Sequence, residues 1–153
     1  MDNAIKDFTE AIRLNPNSAD TYARHAYAWQ IKSEPDEVIK DYTEAIHLNP
    51  KDAMALNNVA WLRATCPDGR FRDGQQAIEY ATKACELTAW KIWNNVGTLA
   101  AAYAESGDFP NAIKWADKSL ELAPENEKQA ANQRLDLYRS NQPIRDLPKK
   151  SAE

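Results

Sequence analysis

Along most of the chain, small and apolar residues recur at intervals of four and then three. The sets are Ala4/Phe8/Ala11, Val38/Tyr42/Ala45, Ala77/Ala81/Ala84 and Ala112/Ala116/Ser119. That spacing returns to one face of an α-helix at each turn, and small residues there let a neighbouring helix approach closely. Helices are therefore predicted near 3–15, 19–32, 36–48, 53–65 and 75–88. Two more fall within 93–126, and a more polar one near 126–141 has Leu135, Leu137 and Tyr138 as its apolar contacts. Asn15-Pro16, Asn49-Pro50 and Pro124 supply stops, because proline cannot continue a helix and pushes the residue before it out of the helical region. Ser33-Glu34-Pro35 and Ser106-Gly107-Asp108 read as turns, and Asp52 and Asp73 as N-caps.

The stops also reveal a period. DFTEAIRLNP at 7–16 returns as DYTEAIHLNP at 41–50, an offset of 34 residues, and KSLELAP ending at Pro124 is a diverged third copy. The preceding helices carry Tyr22/His25/Ala26/Trp29, Leu56/Val59/Ala60/Arg63 and Val96/Leu99/Ala100/Tyr103. Period, terminal proline and the Ala–aromatic–Ala face together resemble the tetratricopeptide repeat, W-x2-L-G-x2-Y…A-x3-F…P over 34 residues of helix–turn–helix. Alanine stands where that consensus has glycine, a small-for-small exchange, and Arg63 departs from it. The stretch from Ala60 to Phe109 is similar to a recurrent bacterial subtype of the family.

The resemblance implies an all-α, right-handed α-solenoid of antiparallel helix pairs, with about eight helices including a C-terminal capping helix. One domain, 1–141, is expected: a half-repeat at 1–18, repeats at 19–52, 53–92 and 93–126, the capping helix at 126–141, then a flexible tail at 142–153. The half-repeat implies either a cut within a longer chain, the favoured reading, or a chain that begins mid-repeat. The second repeat carries five extra residues in its loop, TCPDGRFRDG at 65–74.

Composition narrows the function. Alanine supplies 25 residues against 26 for Leu, Ile, Val and Phe together, with only three valines, so β-structure lacks its preferred residues. Five Trp and six Tyr provide the bulk that alanine lacks. A net charge of −4 and a pI near 5.3 argue against a nucleic-acid footprint, which disfavours an RNA-binding helical repeat. No segment reads as membrane-spanning and no signal peptide is visible, so a cytoplasmic location is expected.

No catalytic constellation is visible: there is no HExxH, no G-x-S-x-G and no phosphate-binding glycine loop. His25 reads as a core residue and His47 as a solvated one. Cys66 and Cys85 are expected to be free thiols, about 15 Å apart along the hairpin and too far to bridge. No enzyme activity, cofactor or metal is expected. The 65–74 loop is either a charged recognition knob of Asp68, Arg70, Arg72 and Asp73 or a loop stapled by its own Asp–Arg pairs with Phe71 tucked beneath. Trp90, Trp93 and Trp115 read as inter-repeat packing.

By family resemblance, the first helix of each unit lines a concave groove. This nominates Arg24, Tyr27, Asn57, Asn58, Trp61, Asn94 and Thr98 as a peptide-binding surface: asparagine amides for a peptide backbone, aromatics as anchors. The expected function is a non-catalytic protein–protein interaction module that binds a peptide or protein segment of unknown identity. The carboxylate-clamp mode of the family is not expected. Only Asn58 matches it; Ala23 and Tyr27 occupy its first-helix positions, and Asn94 and Thr98 replace its cationic pair. The alternative is self-assembly into a homo-oligomer through Ile5, Phe8 and Ile12 of the half-repeat.

Overall fold

The computed structural model describes residues 2–145. Eight α-helices follow one another: α1 (Asp2–Leu14), α2 (Ala19–Lys32), α3 (Pro35–Leu48), α4 (Ala53–Thr65), α5 (Gly74–Leu87), α6 (Trp93–Glu105), α7 (Phe109–Leu122) and α8 (Lys128–Arg139). Short 3-10 turns at Gly69–Phe71 and Glu125–Glu127 interrupt the connections, and no strand occurs among the described residues. The pairs α2/α3, α4/α5 and α6/α7 pack as helical hairpins, α1 packs on α2, and α8 packs on α7. The result is an all-α solenoid.

Local chemistry sets the helix ends. Asp52 Oδ1 accepts the backbone N–H groups of Met54 and Ala55, both at 3.0 Å, and Asp73 caps α5 through Gln76 N at 2.9 Å. Ser18 and Asp108 cap α2 and α7 in the same way. Such caps satisfy amides that the helix itself leaves open. α2 ends at Ser33 in the left-handed region (φ 62°), and Gly107 (φ 79°) turns the chain between α6 and α7. After α5, Ala89 and Trp90 are both left-handed (φ 51° and 61°), a conformation costing L-residues about 1 kcal/mol or more each. Two contacts hold them there: Trp90 N donates to Cys85 O at 2.8 Å, and the Trp90 ring stacks on Trp115 at 4.9 Å. Trp90 and Trp115 thus serve packing.

The core has an N-terminal and a C-terminal part. Ala23, Ala26, Val38, Tyr42, Ala45, Ala55 and Val59 unite α2, α3 and the start of α4. Two adjoining clusters join α4 and α5 to α6, α7 and α8 through Ala60, Ala77, Ala81, Val96, Leu99, Ala100, Leu135 and Tyr138. α6 is the central helix: Asn95–Ala102 and Ala104 are all buried. Its alanines let α4 pack directly against it, and Gly97 leaves room for Ser119 of α7, whereas α2 and α4 make no comparable contact.

Two expectations change at the C-terminal end. Leu137 is 37% exposed, so α8 is anchored by Leu135 and Tyr138, with Ala131 beside them. Residues 142–145 are also docked: Ile144 packs on the C-terminal core, and Arg145 Nη1 meets Glu105 Oε2 at 2.8 Å. That part of the expected loose tail is tied down because α8 ends beside α6. Residues 146–153 lie outside the described residues.

Candidate functional site

The face formed by the first helices is uneven. On α2, Tyr27 is 57% exposed, and Arg24 pairs with Asp20 one turn away at 2.7 Å. On α4, Asn58 is half-buried and its Nδ2 donates to the hydroxyl of Tyr42 at 2.9 Å. Tyr42 sits wholly inside α3, where burial pushes its phenol up to about 12, so it stays neutral and fixes the asparagine. Trp61, one turn further along α4, is half-buried against the C-terminal core. The Arg134 guanidinium from α8 lies over its ring, 4.8 Å from the centroid.

Two of the seven nominated residues are not surface groups. Asn57 is 5% exposed and Thr98 is 1% exposed, and Thr98 Oγ1 donates to Asn94 O within its own helix. The tight approach of α4 and α6 explains Thr98, since it closes the face where an ideal, evenly spaced solenoid would leave it open. Asn94 is exposed at the start of α6. Arg24, Tyr27, Asn58, Trp61 and Asn94 therefore form the accessible set, with Arg134 an addition that sequence reasoning missed. Its signal was weak: a single arginine on a polar helix says nothing about which ring it will cover.

The apolar residues nominated for self-assembly are largely used within the monomer. Ile5 is buried, and Phe8 is half-buried, its ring 6.3 Å from that of His25. Ile12 is half-buried, and Leu14, which the sequence did not single out, is 69% exposed.

His25 is a core residue, with a partner that the sequence did not suggest. Its Nδ1 lies 2.8 Å from Asp41 Oδ2 on α3, both side chains being nearly inaccessible, and its Nε2 lies 3.3 Å from Thr9 Oγ1 on α1. Thr9 donates its own hydroxyl proton to Ile5 O at 2.8 Å, so the Thr9–His25 contact requires an N–H at Nε2. Nδ1 and Oδ2 then share the remaining proton, which satisfies two buried atoms that are otherwise without partners. Burial drives the pair toward this neutral arrangement: it pushes Asp41 up to about 6 and His25 down, with Glu37 and Lys40 as smaller charge effects. No third titratable group joins His25 and Asp41, and the arrangement links α1, α2 and α3. It is structural.

The loop after α4 is stapled both from within and from outside. Arg72 donates to Cys66 O and Pro67 O and pairs with Glu105 at 2.9 Å, while Arg63 donates to Phe71 O, and Phe71 is buried. Asp68 and Arg70 make the expected pair, but Arg72 reaches the next repeat instead of Asp73. A Cβ at Gly74 would stand 3.0 Å from the backbone N of Ser106, a second sign of close docking. Cys66 and Cys85 are free and buried, and burial pushes the Cys85 thiol up to about 12, well out of the reactive range. No helix among the described residues is long and apolar enough to cross a membrane, and no metal-ligand cluster occurs among them.

A tetratricopeptide repeat model matches residues 96–126, most of the α6/α7 hairpin. A tetratricopeptide repeat is shown there. Two crystal structures of the protein MamA share its fold. One aligns with a TM-score of 0.77 at 18% identity over 92% of this chain and 72% of MamA. The other aligns at 0.72 and 15% identity over 92% and 87%. No curated protein matches the chain. Tetratricopeptide repeats form a family of non-catalytic interaction scaffolds, and the present domain has the build of a protein–protein interaction module.

Proposed function

We propose that this tetratricopeptide repeat domain is a non-catalytic cytoplasmic module that holds a peptide or protein segment on the face of its first helices, across the junction between α2 and α4. The observation that carries the reading is the exposure of Tyr27 beside Arg24 on α2, opposite an Asn58 locked in place by Tyr42. An exposed aromatic next to pre-oriented polar groups is the composition of a binding hot spot. Asn58 keeps one amide N–H and its carbonyl for a peptide backbone. Trp61 extends the surface toward α6, and Asn94 marks its far end.

Affinity capture from host lysate tests this reading, comparing wild type with Tyr27→Ala/Asn58→Ala matched for thermal stability. A prey retained by wild type and lost by the variant supports it; identical prey on both proteins overturns it. Self-association through α1 is the competing reading. Sedimentation of wild type and Leu14→Glu separates the two, because a concentration-dependent mass abolished by that substitution favours assembly.

A further inference from the structure

Seven of the eight arginines end on a carboxylate or a backbone carbonyl. Arg13, Arg24, Arg70, Arg72, Arg139 and Arg145 have acidic partners, and Arg63 donates to Phe71 O. Arg134 alone has neither among the described residues. Its guanidinium instead lies over Trp61, 4.8 Å from the ring centroid, on the face to which the proposed function assigns binding, and the residue is half-buried there. A cation–π contact holds the guanidinium in place but uses none of its N–H groups.

A second unsatisfied group adjoins it. Arg134 and Tyr138 line one small hollow with Gly97, Ala100, Ser119 and Ala131. The Tyr138 side chain is 1% exposed, and its hydroxyl has no hydrogen-bond partner. A buried hydroxyl without a partner costs about 1–3 kcal/mol, so the site lacks an acceptor. An unpaired guanidinium fork and an orphaned O–H at the same hollow ask for the same ligand chemistry: oxygen, and preferably anionic oxygen.

We propose that Arg134 is a carboxylate receptor, and that the segment bound on this face is acidic, with an aspartate or glutamate side chain seated in the guanidinium fork above Trp61. One carboxylate oxygen meets the Tyr138 hydroxyl directly or through the single water that the hollow has room for. A bidentate carboxylate is the partner that a planar fork fits best, and the small walls of the hollow keep water from competing. Asn58, one helical turn from Trp61, offers its free amide N–H to the same segment. The inference rests on the first-helix face being the binding face. It also shows why matching clamp positions within the repeats missed the cation, which comes from the capping helix.

The test uses two libraries of 12-residue peptides, acetylated and amidated, identical except for a central glutamate in one and glutamine in the other. Ligands are expected from the glutamate library, with replacement of that glutamate by glutamine weakening binding about tenfold. Arg134→Gln should cost the same factor for the glutamate ligand and little for its glutamine twin, a coupling that a fold defect would not produce. Equal selection from both libraries, lost with Tyr27→Ala/Asn58→Ala, would leave the binding face standing and overturn the carboxylate receptor. So would glutamate ligands indifferent to Arg134→Gln, or a preference for free C-termini in a third, non-amidated set. Absence of ligands from every set would overturn both readings.

Discussion

The two junctions between repeats are built differently from the same 34-residue plan. Where the second repeat meets the third, α4 lies directly on α6, small alanines line the contact, and Asn95–Ala102 and Ala104 of α6 are buried. Where the first meets the second, α2 stands off α4. The connection there runs through α3, with Tyr42 holding Asn58 and a neutral His25–Asp41 pair tying α2 to α3. The tight junction adds the Arg72–Glu105 pair to its apolar contact. The open one joins Ala55 and Val59 of α4 to the core of the first hairpin and leaves Tyr27 and Arg24 in solvent. Close packing and exposed surface thus compete for the same helix faces, and this chain divides them between its two ends.

The largest test of this contrast removes the anchor of the tight end. Tyr138→Ala empties a wholly buried aromatic site between α6 and α8 and should cost about 3–5 kcal/mol, read as a lowered urea midpoint. A loss below about 1 kcal/mol would mean that α8 is an ornament and not part of the C-terminal core.

At the open end, Asp41→Ala should cost about 1–3 kcal/mol, because it strands the Nδ1 acceptor of His25 in the interior without a partner. The double substitution His25→Phe/Asp41→Leu should recover most of that loss, since apolar residues can replace a buried pair without penalty. Failure of the double variant to recover would show that the pair does more than fill and fasten.

The smallest effect is in the pH profiles of the two single variants, which should slope in opposite directions. Asp41 is raised to about 6 from the 3.8 of a free side chain, so in the folded state it binds its proton more tightly. In His25→Gln its contribution is therefore full below pH 3.8 and is lost as pH rises toward 6. His25 is lowered from 6.5, so in Asp41→Asn its contribution is full above pH 6.5 and is lost as pH falls. Wild type, in which both act, should be flatter than either between about pH 4 and 6.5. Parallel slopes in thermal melts would contradict the shared-proton arrangement.

What the sequence made legible was what is decided locally. Asn-Pro stops, aspartate caps and the Ala–aromatic–Ala face specify helix ends and hairpins within a few turns of chain, and the helices form close to where those signals put them. Asp41 was not legible, because an aspartate on an amphipathic helix reads as solvated until its histidine partner is brought against it by hairpin packing. Asn57 and Thr98 follow polar spacing onto the outer face, yet the close approach of α4 and α6 takes Thr98 into the interior, and Asn57 is buried as well. Arg134 reaches Trp61 from 73 positions away in the sequence, across α6, and no local pattern carries that information.

The gap between α2 and α4 has a mechanical meaning. A stack of rods bends where neighbouring rods touch least, so the curvature of this solenoid is softest at its first joint and stiffest at its second. The sparse α2–α4 contact leaves the first joint the more compliant one, whereas the alanines buried between α4 and α6 make the second a wall of fixed shape.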